Sequence, residues 1–309
     1  MLSYTQNLED YHLWQAVGAD GPGFYIDVGG GHPIADNVSF WFYERGWRGI
    51  IVEPQQPLAD LYRHIRPRDE VVVGLVGREA GELDFHVFDR LHGLSTTVKE
   101  HADTGGAHES YRVERRPVTT LAALCERHRV ERIDFLKVDV EGAEADVLAG
   151  NDWKRFRPRV VACEAIAPLS NLPAWDTWEP FLLAQGYQFC LFDELNRFYV
   201  AEEAKDVLAR MPRQRADWAS ATHMYEIGRA PENANHPEHA LAKAISRGFW
   251  ASLPALDPRE VAAFLLRGEG KAVTPADIDR VAAELASDAG RARLGRIACG
   301  YDGGQLFDD

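Results

Sequence analysis

The sequence predicts an α/β fold: a Rossmann-like, mostly parallel sheet of seven strands, closed by an antiparallel hairpin and followed by a helical C-terminal extension. Short apolar runs at 24–28, 49–52, 71–76, 133–138 and 158–163 alternate with helical patterns. That alternation marks buried parallel strands joined by crossover helices. The first run is stopped at once by Gly29, Gly30 and Gly31, a tight turn from strand into helix. Late in the chain, 187–192 and 197–200 flank a short turn at 193–196 and read as a hairpin that reverses the sheet.

Each element has a local reason. Tyr11, Leu13, Trp14 and Val17 form one face of a covering helix that ends before the Gly21-Pro22-Gly23 break. After the glycine turn, Asp36 or Asn37 caps a helix carrying Val38, Trp41 and Phe42, and Gly46 stops it. A helix from Pro57 toward Ile65 precedes the third strand, and 82–88 alternates as a half-exposed strand. Residues 92–109 lack a period and read as a loop; Arg112–Arg116 reads as a solvated basic edge. Thr119 or Thr120 caps a helix to Arg127, Glu144–Leu148 follows the fourth strand as a helix, and Trp175–Gln185 is a helix that Gly186 ends. Beyond Ala204 the caps at Asp257-Pro258-Arg259-Glu260 and Thr274-Pro275-Ala276-Asp277 announce short helices. The chain divides into a covering segment (1–22), a sheet domain (23–204) and a helical extension (205–309).

Composition narrows the function. A net charge of −14 over 309 residues argues against nucleic acid as partner, since polyphosphate needs a basic footprint. The four cysteines lack metal or disulfide spacing, and no basic leader or membrane-length apolar run occurs. A cytoplasmic protein acting on a small molecule, away from membranes, is expected.

Glu53 ends the second strand 22 residues after Gly31. A carboxylate there can accept hydrogen bonds from both hydroxyls of a ribose. The turn lacks the third glycine of a dinucleotide fingerprint, because Ile34 stands in its place. Asp27, just before the turn, would repel a pyrophosphate and welcome a cationic amino-acid group. S-adenosylmethionine, with an ammonium, a sulfonium and no phosphate, fits this pair of acids.

The run Phe135-Leu136-Lys137-Val138-Asp139-Val140-Glu141-Gly142-Ala143-Glu144 carries acids to the sheet's carboxyl edge, where open α/β sheets bind ligands. Together with IDVGGGHP, FYERGWRGIIVEP, GLST, VVACEA and LNRFYVAE, in order over about 24–202, it makes the chain resemble the FkbM family of S-adenosylmethionine-dependent methyltransferases. One departure is the turn itself: Gly29-Gly30-Gly31 replaces the family's G-A-N and removes a side-chain amide. The resemblance implies a class I methyltransferase sheet, with S-adenosyl-L-homocysteine as product. It also implies O-methylation of a sugar or polyketide-like secondary metabolite.

An alcohol is a poor nucleophile, so a base or a metal must help remove its proton. His32, Asp139 and Glu164 are the catalytic candidates. Asp27, Gly29, Gly31, Glu53, Ser95 and Asp139 are the donor-binding candidates. Glu141 reads as favouring the helix start. Asp139, Glu164 and Asn196 offer oxygens of the kind Mg²⁺ accepts, so a divalent metal stands as the alternative to a general base. Trp175 is a candidate for the acceptor pocket, Trp178 more for packing, and His86 and His101 read as surface histidines. Loops 90–115 and 165–180 are expected to set the acceptor. Two other functions compete: an NAD-dependent sugar-nucleotide enzyme, and a non-catalytic nucleoside-binding or scaffold protein. The extension is expected to pack on the sheet or to mediate homo-oligomerisation, away from the donor.

Overall fold

The structure is a computed structural model that describes residues 1–170, 172–267 and 273–302. Residues 171, 268–272 and 303–309, parts of the second specificity loop and of the expected extension, lie outside the described residues. The chain forms two units, Met1–Met224 and Tyr225–Asp309.

The first unit opens with β1 (Leu2–Ser3), α1 (Glu9–Val17), β2 (Phe24–Val28), α2 (Phe40–Glu44), β3 (Arg48–Val52), α3 (Gln56–Ile65) and β4 (Glu70–Val72). It continues with β5 (Leu75–Val76), β6 (Gly81–Val87), α4 (Lys99–Gly105), β7 (Arg112–Thr119), α5 (Leu121–Arg127), β8 (Phe135–Val138) and α6 (Glu144–Ala149). The last members are β9 (Val160–Glu164), α7 (Glu179–Ala184), β10 (Tyr187–Phe192), β11 (Asn196–Ala201), α8 (Lys205–Arg210) and β12 (Thr222–His223).

Seven strands form the main sheet in the order β10-β11-β9-β8-β2-β3-β4. The five from β4 to β9 run parallel, β11 runs antiparallel to β9, and β10 is antiparallel to β11, so β11 alone opposes the direction of the rest. This is the expected architecture. The parallel strands are apolar on both faces because helices cover both; Tyr25 stacks on Phe135 at 5.3 Å, and Phe42 lies 4.7 Å from the same ring. Connections leave β2 toward β3 on one side and arrive from β8 on the other. The crevice at the carboxyl ends of β2 and β8 is therefore the place where such sheets bind ligands.

Three expectations change. The third strand is split: Glu70–Val72 joins the main sheet, while Leu75–Val76 crosses to a small second sheet ordered β5-β7-β6. The basic stretch is strand β7, paired antiparallel with β6 over its length; Arg112, Glu114 and Arg116 share one face of the ribbon and Val113 and Arg115 the other, so charge on both faces masks the strand pattern in composition. Residues 92–109 contain α4.

The first unit also reaches past the expected break at Ala204. Val207 and Met211 are buried, Arg210 donates to the Ala16 carbonyl at 2.9 Å, and β12 pairs in parallel with β1. The second unit holds α9 (His239–Ser252), α10 (Pro258–Arg267), α11 (Pro275–Ala286) and α12 (Asp288–Asp302), of which α10 and α11 begin where the caps predict. Thr274 and Asp277 form a reciprocal capping box, and Leu253, Val261 and Leu294 make a small core. All four cysteines are free. No described helix is long and apolar enough to cross a membrane.

Residues 205–224 thus carry part of the first unit's stability. Ending the chain after Ala204 removes the buried side chains of Val207 and Met211, worth about 1.5–3 kcal/mol each, together with buried Ala221, and strips β1 of its partner. We expect that truncation to lower the urea midpoint clearly, whereas a chain ending after Met224 keeps the midpoint of the unit. Equal midpoints for the two truncations would contradict this packing.

Candidate active site

The glycine turn is fixed by its neighbours. The N–H groups of Gly29 and Gly30 both donate to the Val52 carbonyl, at 3.0 and 3.2 Å. Gly29 has φ +80°, and a Cβ there would fall 1.7 Å from the Asp139 carbonyl oxygen, so only glycine fits. Gly31, at φ +58°, faces open space. Its N–H donates to Glu53 Oε2 at 2.9 Å, while the Gln55 N–H donates to Oε1 at 2.7 Å. Each carboxylate oxygen keeps a lone pair for a further donor. Glu53 is 3% exposed, and burial pushes its pKa up to about 7 against the two N–H groups that lower it. Turn and carboxylate line a cavity of about 250 Å³ at the carboxyl edge of the sheet.

Behind the turn lies a buried polar network that sequence reasoning missed. The Arg66 guanidinium has no exposed surface; it donates to Asp69 at 2.8 Å, to Asn37 Oδ1, the Tyr25 hydroxyl and Ser39 Oγ at 2.9 Å, and to the Pro33 carbonyl at 3.2 Å. Asn37 Nδ2 and the Tyr62 hydroxyl both donate to the Gly30 carbonyl, at 2.9 and 2.7 Å. Asp27 belongs to this layer. Fully buried, it accepts from Ser39 Oγ at 2.6 Å and stands 3.6 Å from Lys137 Nζ. Asp27 pairs in register with Lys137 one strand away, and it does not line the cavity. The expectation that it meets a ligand's ammonium is corrected: it meets the lysine's.

His32 does line the cavity, yet its Nδ1 accepts from the N–H groups of Ile34 and Ala35 at 3.2 and 3.0 Å. That puts the ring proton on Nε2. Burial, and next the nearby His92, hold its pKa below the ordinary value. His32 is a neutral donor that orders the turn; the expected base role is corrected. Ser95 lines the cavity too, with its Oγ accepting from the Phe88 N–H at 3.0 Å and standing 3.3 Å from Gln55 Nε2.

At the other end stand Asp139, Glu141 and Glu164, each offering an oxygen within 4.8 Å of the others. Lys137 Nζ lies 3.1 Å from Asp139 Oδ2 and donates to the Gly29 carbonyl at 2.8 Å. Burial alone would lower this lysine's pKa, but Asp139 and Asp27 outweigh it and hold the ammonium. Burial pushes Glu141 up to about 9, with Asp139 and Glu144 adding repulsion. Glu164 is raised well above the carboxylate range by burial and then by Asp139 and Glu141, and its side chain hydrogen-bonds Asp139. Burial and repulsion thus favour the protonated form of Glu164, which shares a hydrogen bond with Asp139. Glu141 does not start the helix. Glu144 does, accepting from the N–H groups of Val140 and Gly142 at 3.2 and 3.0 Å, while Glu141 sits at φ 55° with its carboxyl toward the cavity.

The remaining wall differs from expectation. Residues 90–115 supply His92, Gly93, Ser95 and Thr97, but the described residues of 165–180 supply none of the lining. Trp175 packs 5.3 Å from Phe192, and Trp178 5.7 Å from Tyr199. Thr5, Gln6 and Glu9 from the covering segment and Leu195 and Asn196 from the hairpin take their place. His86 is buried beside Tyr111, and His101 Nδ1 hydrogen-bonds the Glu141 carbonyl at 2.9 Å, so neither is a surface histidine.

Among solved structures, similarity extends to an O-methyltransferase from Bacillus cereus in complex with SAH, at 14% identity, 64% of this chain, 82% of that chain and a TM-score of 0.36. It extends also to a methyltransferase from Geobacter sulfurreducens, at 12% identity, 62% and 77% coverage and a TM-score of 0.35. A putative RNA methyltransferase from Pyrococcus horikoshii matches at 12% identity, 63% and 84% coverage and a TM-score of 0.34. No curated protein sequence matches the chain. The methyltransferase FkbM domain model matches residues 27–189, more than half of the chain, and displaces the oxidoreductase alternative. The chain belongs to the FkbM family of S-adenosylmethionine-dependent methyltransferases.

Proposed function

We propose that this chain transfers a methyl group from S-adenosylmethionine to a hydroxyl of a small molecule, a sugar or polyketide-like metabolite. The observation that carries the reading is the pairing in one cavity of Glu53, with lone pairs free for a diol, and the Lys137–Asp139–Glu164 group. The donor, when bound, supplies a methyl made electrophilic by a sulfonium. Gly31, with open space where a Cβ would stand, lets it approach the turn, and Glu53 holds its ribose. Asp139 takes the acceptor hydroxyl's proton as the new O–C bond forms and the C–S bond breaks. Lys137 fixes the Asp139 carboxylate from one side and Glu164 from the other, an arrangement set before the acceptor arrives. The oxygens of Asp139, Glu141 and Glu164 also suit a divalent cation, which these three would hold and which would supply Lewis-acid activation of the hydroxyl. The Lys137 ammonium already stands beside Asp139, and this favours the general base.

Glu53→Gln should weaken donor binding by the loss of charged hydrogen bonds, about 1.5–3 kcal/mol each. The same change should stabilise the fold. Glu53's folded pKa, about 7, lies above its ordinary value of 4.5, so the cost of ionising it appears as pH rises through 4.5 and is complete above 7. At that point it is on the order of 3 kcal/mol. Calorimetry and melting at pH 8 should show weaker binding with a higher Tm in the variant, and donor affinity in the wild type should fall below pH 7. Unchanged affinity would remove Glu53 from the ribose.

Asp139→Asn and Glu164→Gln should each lower kcat at least a hundredfold with small changes in Tm, and EDTA should leave wild-type turnover intact. Loss of activity on chelation, restored by Mg²⁺, would assign the carboxylates to a cation instead.

A further inference from the structure

We infer that Thr96 and His101 are positioning residues for the methyl transfer, and that they act by holding the Glu141 side chain beside Asp139 at the acceptor. The inference rests on the proposed transfer to a small-molecule hydroxyl and adds two residues that lie outside the cavity.

Glu141 has a backbone conformation that its side chain disfavours. Its φ is 55°, and Gly142 follows at φ 103°. The left-handed region is costly for a residue with a Cβ and persists where the surroundings impose it. Here the imposing groups come from another segment of chain. Thr96 Oγ1 donates to the Glu141 carbonyl at 2.8 Å, and His101 Nδ1 lies 2.9 Å from the same oxygen. A carbonyl can only accept, so His101 carries a proton on Nδ1, and the two donors fill both lone pairs of that oxygen. Cβ and the carbonyl carbon turn together about the N–Cα bond. Holding the carbonyl therefore fixes the direction in which the Glu141 side chain leaves the backbone. That direction is into the cavity, where Glu141 offers an oxygen within 4.8 Å of those of Asp139 and Glu164.

Neither donor lines the cavity. Ser95 and Thr97 do, but Thr96 between them is 1% exposed and turned away, and His101 stands outside the lining as well. Both act on the site only through Glu141. Thr96 is itself tied down: its carbonyl and N–H pair with His86 at 2.8 and 3.1 Å, and its Oγ1 also receives the Val98 N–H at 2.9 Å. Gly142 passes so close to His101 that a Cβ there would collide with the imidazole. Glycine at 142 thus admits the ring that holds the carbonyl of 141. On the far side Glu144 accepts from the N–H groups of Val140 and Gly142, so residue 141 is clamped between two fixed points.

The test follows S-adenosylhomocysteine release from S-adenosylmethionine by the full chain. A panel of free hexoses, 6-deoxyhexoses and hydroxylated macrolactones supplies the acceptors, and the one used fastest by the wild type serves as probe. Thr96→Val and His101→Leu should each lower kcat at least tenfold, with S-adenosylhomocysteine affinity by calorimetry within twofold of wild type. Thr96→Ser and His101→Asn, which keep a donor near the carbonyl, should recover most of the rate. Glu141→Gly removes the carboxyl and the strain together and should itself lower kcat. In that background Thr96→Val and His101→Leu should change kcat less than twofold, because their effect runs through the missing side chain. Melting is checked for every variant; if Thr96→Val melts early through loss of its Val98 contact, His101→Leu decides. Equal losses with and without the Glu141 side chain, or a wild-type rate in His101→Leu, overturn this inference alone. A wild type that releases no S-adenosylhomocysteine with any member of the panel overturns the proposed transfer and this inference with it.

Discussion

A guanidinium without any exposed surface holds the donor half of this molecule in shape. Arg66 reaches five oxygens on three segments of chain, and a buried charge persists only with such complete pairing. Through Asn37 and Ser39 it reaches the Gly30 carbonyl and Asp27. Asp27 in turn stands beside Lys137, which donates to the Gly29 carbonyl and faces Asp139. One continuous set of hydrogen bonds and ion pairs therefore links the core beneath the glycine turn to the clustered carboxylates of the cavity. Removing any one member would leave charges buried without partners, which costs more than the bond itself.

Most of the sheet was legible in the sequence because its strands are buried on both faces and read as plain apolar runs. The failures have physical reasons. Strand β7 carries charge on both faces of its pleat, and Arg112, Arg115 and Arg116 resemble a solvated edge until their partners in β6 are known. The run at 71–76 is one segment in sequence but serves two sheets, and the change occurs at Gly74, which a count of apolar residues does not register.

At the site, the sequence located residues by position along strands and turns, and Glu53, Gly31, Asp139 and Glu164 all line the cavity. It could not tell which face of a strand a side chain takes. Asp27 and Glu53 end adjacent strands and look equivalent on paper, yet only Glu53 lines the cavity, while Asp27 is turned toward its neighbour's lysine. Lys137 lay in plain view within the most specific motif. Its role appears only when the register aligns it with Asp27. His32 shows the same limit at the level of a proton: its tautomer is set by two backbone N–H groups that no motif records. The covering segment's part in the cavity depends on contacts spanning nearly the whole first unit, such as Glu9 with Asn196.

The parallel pairing of Leu2–Ser3 with Thr222–His223 has a consequence for the order in which the molecule is made. The segment bearing Thr5, Gln6 and Glu9 leaves the ribosome first, but the strand that clips it down is among the last parts of the unit to emerge. Asn196, which orients Glu9, also comes late. During synthesis the parallel strands and the glycine turn can be assembled while this wall of the cavity still lacks its fastening. A wall that precedes the sheet in the chain is thus completed after it, and a nascent chain closes that end of the cavity only when the unit's final strand has been translated.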